Sequence, residues 1–401
     1  MIYDVIVVGG GPSGIFSSIF AGQKGKKVLL IEKMEKLGKK LLIAGQGQCN
    51  LTHEGTREEF TKHFGTNGNF LKKALYKYPP EHLIKFFEDR NLPLIVTEKG
   101  KYFPKTLRSL DVLEVLRNEL KNYEVEVKLK TPVKKIEKSE IFKIFTDNEN
   151  FEAKKLIIAT GGKSYEVTGS SGDGYNFSKE FGLKMVEPRP ALTPCYVKDY
   201  SYTSLAGVSF KNAILELWRD NKKLGTYEGD LLFTHKNFSG PIIIDNSRYM
   251  KKDDMLKINF SGEPFEKFEK DLRNSINNNG NKFVKNIFEN PNFSERFIKV
   301  ILKECEIPEE LKCNNLKKEQ IKSLVEALGN HSYEVSKLEG FNIAMVTAGG
   351  VALEEINKNT MESKKIKDLY IVGELLDIDG DTGGYNIQGA YSTGALAAES
   401  I

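Results

Sequence analysis

Long apolar runs at both ends of the chain predict the strands of a buried parallel sheet. Residues 2–8 form a continuous run rich in β-branched side chains, which is typical of a central strand covered on both faces. Shorter apolar runs occupy residues 27–31, 155–158 and 369–372. After the first run, the small and apolar residues 13–22 predict a helix. This order of elements predicts an α/β fold.

The middle of the chain changes its hydrophobic period twice. Residues 192–262 hold short alternating runs separated by polar turns, which predict the strands of a β-barrel-like unit. Residues 263–330 change to helical spacing, and Phe265, Phe268, Leu272 and Ile276 share one face. We therefore predict three domains: a parallel-sheet domain of residues 1–191 and 344–401, a β-barrel-like insert of residues 192–262 and 331–343, and a helical insert of residues 263–330.

A glycine-rich turn follows the first predicted strand. Gly9, Gly11 and Gly14 fit the pattern G-x-G-x-x-G, and Pro12 and Ser13 open the predicted helix. In this pattern the first glycine permits a tight turn, the second admits a pyrophosphate and the third lets helix and strand pack closely. The positive end of the helix would then face the phosphates.

An acidic residue stands where such a motif holds a ribose. The second predicted strand ends at Glu32, about twenty positions after the glycines. Strand, glycines, helix and acid together predict a Rossmann-like dinucleotide-binding unit. The alternatives are a purely structural glycine turn and a solvated Glu32.

Three later segments indicate which dinucleotide the chain binds. Residues 124–136 alternate like paired strands and could place Val133 beside an adenine. A strand ends in Ala159-Thr160-Gly161, and another ends in Gly373-Glu374. These endings resemble those of two-dinucleotide-type flavoproteins, in which they close the FAD sheet and reach the ribityl and pyrophosphate groups. The predicted cofactor is therefore FAD. Because the chain has a single G-x-G-x-x-G, NAD(P)H is expected at most as a transient electron donor, and another donor is possible.

The last predicted helix begins beside two glycines. Residues 386–398 read as a helix that is entered through Gly383 and Gly384. Its N-terminal dipole would stabilise the negative charge of a reduced flavin. The alternative is an ordinary loop before a packing helix. Tyr385, at the start of this helix, could contact the flavin ring, and no role is assigned to it.

Several motifs together resemble the YhiN/BaiN-like flavoprotein family, whose members are described as NAD(P)/FAD-dependent oxidoreductases and include aminoacetone-oxidase-like proteins. The resemblance covers nearly the whole chain. It implies an FAD-binding domain of the two-dinucleotide type, interrupted by a small β-barrel and by a helical bundle. The motifs that carry it are G-K-K-L-L at 38–42, G-Q-G-Q-C-N-L-T at 45–52, G-S-S-G-D-G-Y at 169–175, P-A-L-T-P at 190–194, L-F-T-H at 232–235 with S-G-P at 239–241, V-T-A-G-G-V at 346–351, G-E-L-L-D at 373–377 and G-G-Y-N-I-Q at 383–388.

Two positions depart from the family pattern. Gln48 stands where relatives usually carry Arg, and His53 stands where they often carry Asn. Losing the Arg removes a fixed charge near the cofactor. Lys39 or Lys40 could compensate as point charges near the pyrophosphate.

Composition sets limits on partners and location. The chain has 401 residues and a net charge of +4, from 59 basic and 55 acidic side chains. This near balance argues against nucleic acid as a partner. The four cysteines lack zinc spacing, and no metal site is predicted. No signal peptide and no apolar run of about 18 residues is present, so we expect a cytoplasmic protein without a membrane association. The oligomeric state is not predicted.

The sequence therefore predicts an FAD-dependent oxidoreductase that acts on a small organic substrate by hydride transfer at flavin N5. The resemblance leaves open the reduction of an enone-like steroid or bile-acid derivative and the oxidation of a small amine. The alternatives are a flavin-dependent tRNA-modifying protein and a non-catalytic FAD sensor. Cys49 is interpreted as a structural thiol, and no catalytic acid or base is assigned. The predicted cofactor-binding residues are Gly9, Gly11, Pro12, Ser13, Gly14, Glu32, Lys33, Lys40, Gly47, Asn50, Val133, Ala159, Thr160, Gly161, Gly373, Glu374, Gly384, Tyr385, Asn386 and Ile387.

Overall fold

The computed structural model describes all 401 residues. The chain forms two compact units, Met1–Pro190 with Phe341–Ile401, and Ala191–Gly340. The strands are β1 Ile2–Val8, β2 Val28–Ile31, β3 Thr52–His53, β4 Leu94–Val96, β5 Lys101–Pro104, β6 Glu126–Lys128, β7 Val133–Lys138, β8 Phe142–Thr146, β9 Asn150–Ile158, β10 Met185–Ala191, β11 Cys195–Val197, β12 Ser209–Arg219, β13 Lys222–Phe233, β14 Phe238–Ser239, β15 Met255–Asn259, β16 His331–Leu338, β17 Val346–Val351 and β18 Leu369–Ile371.

Helices cover the sheets and form most of the connections. Their bounds are α1 Pro12–Gln23, α2 Lys39–Ile43, α3 Arg57–Lys62, α4 Gly68–Lys77, α5 Pro80–Glu88, α6 Ser109–Asn122, α7 Asp173–Glu180, α8 Pro241–Ile244, α9 Phe265–Asn278, α10 Glu295–Glu304, α11 Lys318–Gly329 and α12 Tyr385–Glu399. None of them combines the length and the apolar character that crossing a bilayer requires.

The first unit is built on a seven-stranded sheet in the order β6-β2-β1-β9-β8-β7, with β18 paired to β9. Strands β6, β2, β1, β9 and β18 run parallel, whereas β7 and β8 form an antiparallel extension. Nearly all of β1 is buried, as a central parallel strand requires. The order confirms the predicted α/β fold with a Rossmann-type sheet.

Helices α1 and α12 pack closely across this unit because small residues line their contact. A Cβ atom added to Gly394 would lie 2.5 Å from the carbonyl oxygen of Ser13. The Ser17 hydroxyl donates to the carbonyl oxygen of Gly394 at 3.2 Å. This approach brings the last helix of the chain against the first, and so joins two segments that are far apart in sequence.

The second unit is a closed six-stranded antiparallel barrel in the order β11-β14-β13-β12-β15-β16. Helix α9 buries Phe268, Leu272 and Ile276, three of the four residues that the helical spacing placed on one face; Phe265 is partly buried. Residues of the barrel and of helices α9 to α11 belong to one hydrophobic core. The segment 263–330, which we predicted as a domain of its own, is therefore packed as part of the barrel unit.

A smaller three-stranded antiparallel sheet, β3-β5-β4, also belongs to the first unit. No local pattern predicted this sheet, since its strands are two to four residues long. Such strands are too short for an alternating pattern to show.

Candidate dinucleotide site

The turn after β1 is shaped by three glycines with different surroundings. A Cβ on Gly9 would lie 2.4 Å from the carbonyl oxygen of Ala159, and one on Gly14 would lie 1.8 Å from the carbonyl oxygen of Gly9. Around Gly11, which caps α1 just before Pro12, nothing lies within 4 Å of that position. Gly9 and Gly14 are therefore required for packing, whereas Gly11 faces open space.

Glu32 is held rigidly beside this turn. One carboxylate oxygen accepts a hydrogen bond from the Gly10 amide at 2.7 Å, and the other accepts from the Met34 amide at 2.8 Å. Each oxygen keeps a second lone pair, so the carboxylate can still accept from ribose hydroxyls. The Thr131 amide donates to the backbone carbonyl of Glu32 at 3.0 Å, two residues before the half-buried Val133 at the start of β7.

The Lys33 side chain forms an ion pair with a residue outside the glycine turn. Its ammonium group lies 2.6 Å from an Asp173 carboxylate oxygen and also contacts the Ser171 hydroxyl. The structure thus ties this predicted cofactor residue to the segment before α7.

The end of β9 lies next to the glycine turn. The Ala159 amide donates to the carbonyl oxygen of Val8 at 2.8 Å. Gly161 adopts a φ of +71°, which favours glycine. The Thr160 hydroxyl is buried and has no hydrogen-bond partner. A buried hydroxyl without a partner is costly, and a ligand beside this turn would supply one.

The C-terminal strand ending meets the start of α1. A Cβ on Gly373 would lie 2.5 Å from the Ser13 hydroxyl oxygen. The Glu374 carboxylate accepts from the Lys40 ammonium group at 2.8 and 3.0 Å and from the Thr347 amide at 2.8 Å. Two predicted residues, Lys40 and Glu374, therefore form one ion pair, which leaves the ammonium charge locally neutralised.

The start of α12 is fixed against β3. Gly384 has a φ of +99°, and a Cβ there would lie 2.7 Å from the backbone of Thr52. The Asn386 side chain accepts from the Gly380 amide at 2.8 Å and donates to the carbonyl oxygen of Gly380 at 2.8 Å, which secures the preceding loop. The amides of Asn386 and of the half-buried Ile387 have no acceptor within the helix, as in any first turn.

The ring of Tyr385 is enclosed by protein side chains. It is 3% exposed and stacks on His63 at 4.0 Å and on His53 at 5.2 Å between ring centroids. Phe60 meets it edge-on at 5.0 Å. The ring therefore packs among protein side chains at the start of α12.

The loop between α2 and β3 has an unusual backbone. Gly47 and, unusually for side-chain-bearing residues, Gln46 and Cys49 adopt positive φ angles of 87°, 58° and 61°. Cys49 is fully buried, and burial raises the pKa of its thiol to about 12. The Oδ1 atom of Asn50 is buried without a partner, and Gln48 is exposed. Cys49 thus has the environment of a structural thiol.

Together these positions, which we call the cofactor cradle, fit an extended dinucleotide. The open space at Gly11 leaves room for a pyrophosphate, Glu32 stands at the ribose position, and the orphaned Asn50 and Thr160 oxygens await partners. The structure brings both ends of the chain together here, whereas Lys33 is paired with Asp173 and Val133 begins β7, the strand at the other edge of the sheet from β6.

Sequence reasoning missed one residue of the cradle's frame. Thr347 holds Glu374 through its amide, and its hydroxyl oxygen accepts from the amides of Lys163 and Ser164 at 2.8 and 3.1 Å. The V-T-A-G-G-V motif drew attention to this segment, but the role of Thr347 is shown only by its contacts with residues far away in the chain.

Comparison with known proteins agrees with this architecture. Residues 3–400 match the family described as HI0933-like protein Rossmann domain. A ribosomal RNA dihydrouridine synthase of Escherichia coli is 30% identical over all of this chain and 98% of its own length. Its namesake from Haemophilus influenzae is 28% identical over 99% of this chain and 98% of its own length. A 3-dehydro-bile acid delta(4,6)-reductase of Clostridium scindens is 30% identical over 98% of each chain.

Solved structures share the fold at lower identity. A flavocytochrome c3 fumarate reductase aligns with a TM-score of 0.51 and 16% identity over 100% of this chain and 78% of its own. A 3-ketosteroid-delta4-(5alpha)-dehydrogenase from Rhodococcus jostii aligns with a TM-score of 0.51 and 13% identity over 99% and 96%. The family match across nearly every residue confirms the predicted resemblance, and the chain belongs to the HI0933-like family of Rossmann-fold flavoproteins.

Proposed function

We propose that this protein is an FAD-dependent oxidoreductase that reduces a carbon–carbon double bond conjugated to a carbonyl group. The observation that carries the proposal is the cradle itself, in which Gly373 meets Ser13 and the start of α12 is fixed against β3. The names of the full-length relatives support the reaction class. Dihydrouridine is uridine with a saturated C5–C6 bond, and a delta(4,6)-reductase removes double bonds in conjugation with a 3-oxo group.

The residues of the cradle have defined tasks in this proposal. Glu32 holds the adenosine ribose, and the free amides at the start of α1 face the pyrophosphate. The Lys40–Glu374 pair lies beside the same path. Bound FAD would supply a hydride from its N5 atom to one carbon of the double bond, and a proton from solvent would complete the neighbouring carbon.

The start of α12 would tune that chemistry. Its first-turn amides would offer positive potential to the negative charge of a reduced isoalloxazine ring bound beside them. Because burial keeps the Cys49 thiol protonated, this side chain offers no thiolate for disulfide exchange. In this proposal the protein binds, orients and polarises, and Cys49 does not act as a nucleophile.

An anaerobic redox assay tests the proposal. The purified protein is expected to carry FAD, and photoreduced protein is expected to be reoxidised by an α,β-unsaturated ketone or by a uracil-containing RNA, with a product 2 Da heavier. Reduction by NADPH or NADH under the same conditions identifies the donor. Failure of every conjugated substrate, together with bleaching of the oxidised flavin by a small amine, would contradict the proposal in favour of amine oxidation.

The same assay separates the non-catalytic alternative. A pure FAD sensor would bind flavin tightly, yet neither donors nor acceptors would change its redox state at a useful rate. Both results are read from the flavin absorption band near roughly 450 nm, which disappears on reduction.

A further inference from the structure

The three-stranded sheet β3-β5-β4 presents one exposed face beside the cradle. In its antiparallel register His53 pairs with Lys101, and Ile95 pairs with Phe103. Directly opposed residues share a face, as do residues two apart on one strand. These four side chains therefore lie on one side, which we name the 53/95/101/103 face. The opposite side carries Thr52, which is fully buried.

Lys101 and Phe103 of this face line an open cleft of about 510 Å³, together with Gln48 from the loop that precedes Asn50. A Cβ on Gly45, in the loop before Asn50, would lie 3.5 Å from the Phe103 ring. A Cβ on Gly383, next to the start of α12, would lie 3.7 Å from the Lys101 side chain. A molecule in the cleft would thus lie close to the loop before Asn50 and to the start of α12, two segments that belong to the proposed cofactor site. The cleft is lined by Gln48, Thr97, Glu98, Lys99, Lys101 and Phe103.

The charge around the cleft is more basic than that of the whole chain. Residues 97–108 contain three lysines and one arginine but a single acid, Glu98. Lys101 and Lys105 have no carboxylate partner, and Arg108 is 64% exposed and meets Asp111 only at 3.7 Å. In contrast, Lys40 and many other lysines of the chain are paired.

Aromatic and aliphatic side chains lie on the same face as Lys101. Phe103 and His53 are partly exposed on the face, and Ile95 is 37% exposed beside them. Proteins that bind single-stranded nucleic acid combine a basic groove along the backbone with rings on which bases stack. A small acidic molecule would need a single cation, whereas Lys101, Lys105 and Arg108 supply three within eight residues of the chain.

We propose that the 53/95/101/103 face, continued by Lys105 and Arg108, binds a single-stranded RNA segment and presents one of its bases to the flavin. The inference rests on the proposed function, since uracil is an acceptor of the class named there. Phe103 stacks on a base, and Lys101 and Lys105 contact phosphates. Whole-chain charge balance, on which our expectation against nucleic acid rested, averages over such a local concentration of basic residues.

Binding of RNA to the oxidised, FAD-loaded protein tests the inference without turnover. The probe is a fluorescein-labelled 12-nucleotide oligouridine, and anisotropy is measured at several salt concentrations. Lys101→Gln with Lys105→Gln is expected to flatten the slope of log affinity against log salt by about 1.4, because each phosphate contact in a single strand contributes roughly 0.7. Phe103→Leu, which keeps an apolar side chain, is expected to weaken binding by about tenfold.

A matched control removes the same charge elsewhere in the first unit. Lys134 and Lys135 lie on β7 and are paired with Asp147 and Glu137. Lys134→Gln with Lys135→Gln should leave RNA affinity and salt slope unchanged. The flavin absorption spectrum of each variant shows that the cradle is intact.

The outcomes separate this inference from the proposed function. No RNA binding by the unaltered protein, or equal losses in the 101/105 and 134/135 variants, overturns the inference, and so does binding of an anionic enone at the face without RNA. RNA that binds through Lys101 and Phe103 but never reoxidises reduced flavin supports the inference and counts against the proposed function.

Discussion

Alanine at Gly11 and at Gly14 should separate cofactor binding from folding. At Gly14 the new methyl group would lie 1.8 Å from the carbonyl oxygen of Gly9, so α1 must move by more than about 1 Å. Such overpacking costs about 1–3 kcal/mol of stability or more. At Gly11 no atom lies within 4 Å, and a φ of −80° suits alanine. The free energy of unfolding of FAD-free Gly11→Ala should therefore stay within about 1 kcal/mol of that of the unaltered protein.

The affinity for FAD should fall in both variants, but in Gly11→Ala it should fall without a loss of stability. The methyl group at Gly11 occupies space that the proposal gives to the pyrophosphate, and it would displace the phosphates from the amides at the start of α1. A hydrogen bond to a charged group contributes about 1.5–3 kcal/mol. Loss of one or two such bonds weakens FAD binding by about 100-fold.

Two measurements on each variant decide the matter. FAD is removed, thermal unfolding of the apoprotein is followed by circular dichroism, and FAD is then titrated back while its fluorescence is recorded. Gly11→Ala should keep the melting temperature and lose FAD, whereas Gly14→Ala should lose both. A Gly11→Ala protein that binds FAD as tightly as the unaltered protein would refute the assignment of that space to the cofactor.

Three further predictions follow from buried groups. Thr160→Val should raise the stability of the apoprotein by about 1 kcal/mol in urea unfolding, since the hydroxyl has no partner, and should weaken FAD binding; Thr52→Val, whose hydroxyl donates to Gln388 at 2.8 Å, should lower stability instead. Cys49 should resist iodoacetamide at pH 8 in the native protein, because burial raises its pKa to about 12, and should react after denaturation; labelling before unfolding would contradict this. Burial lowers the pKa of His331 below its value of about 6.5 in the unfolded chain, so stability is fully present above that pH and falls below it by at most about 1.4 kcal/mol per pH unit; His331→Gln should show a shallower loss between pH 7.5 and 5.5, and an equal loss would count against the reasoning.

The elements that the sequence predicted well are those whose local pattern coincides with their packing. The first strand, predicted at residues 2–8, is β1 at Ile2–Val8, because a central parallel strand has to be apolar on both faces. The helix predicted at residues 386–398 is α12 at Tyr385–Glu399, since its small residues suit close contact with α1.

Other parts of the site depended on contacts that no local pattern records. Lys40 and Glu374 were both predicted near the cofactor, but their pairing joins residues 334 positions apart. Tyr385 has a sequence position next to two glycines that suggested contact with a flavin, yet the structure surrounds its ring with His53 and His63. The direction of a side chain at a helix start is decided by the elements that pack around it, here β3 and the end of α3.

The cradle is held together by the protein's own contacts, which has a consequence for how the cofactor binds. Gly373 donates through its amide to the Thr393 hydroxyl at 3.1 Å and lies against Ser13, while Ser17 reaches Gly394. These contacts all join protein groups, and most of those groups are buried. The two ends of the chain therefore hold each other in place through packing of the protein itself, and we expect this packing to limit the ordering that opposes FAD binding in the proposed function. Thr160 and Asn50 each keep a buried oxygen atom without a partner, and under the proposal FAD would supply those partners.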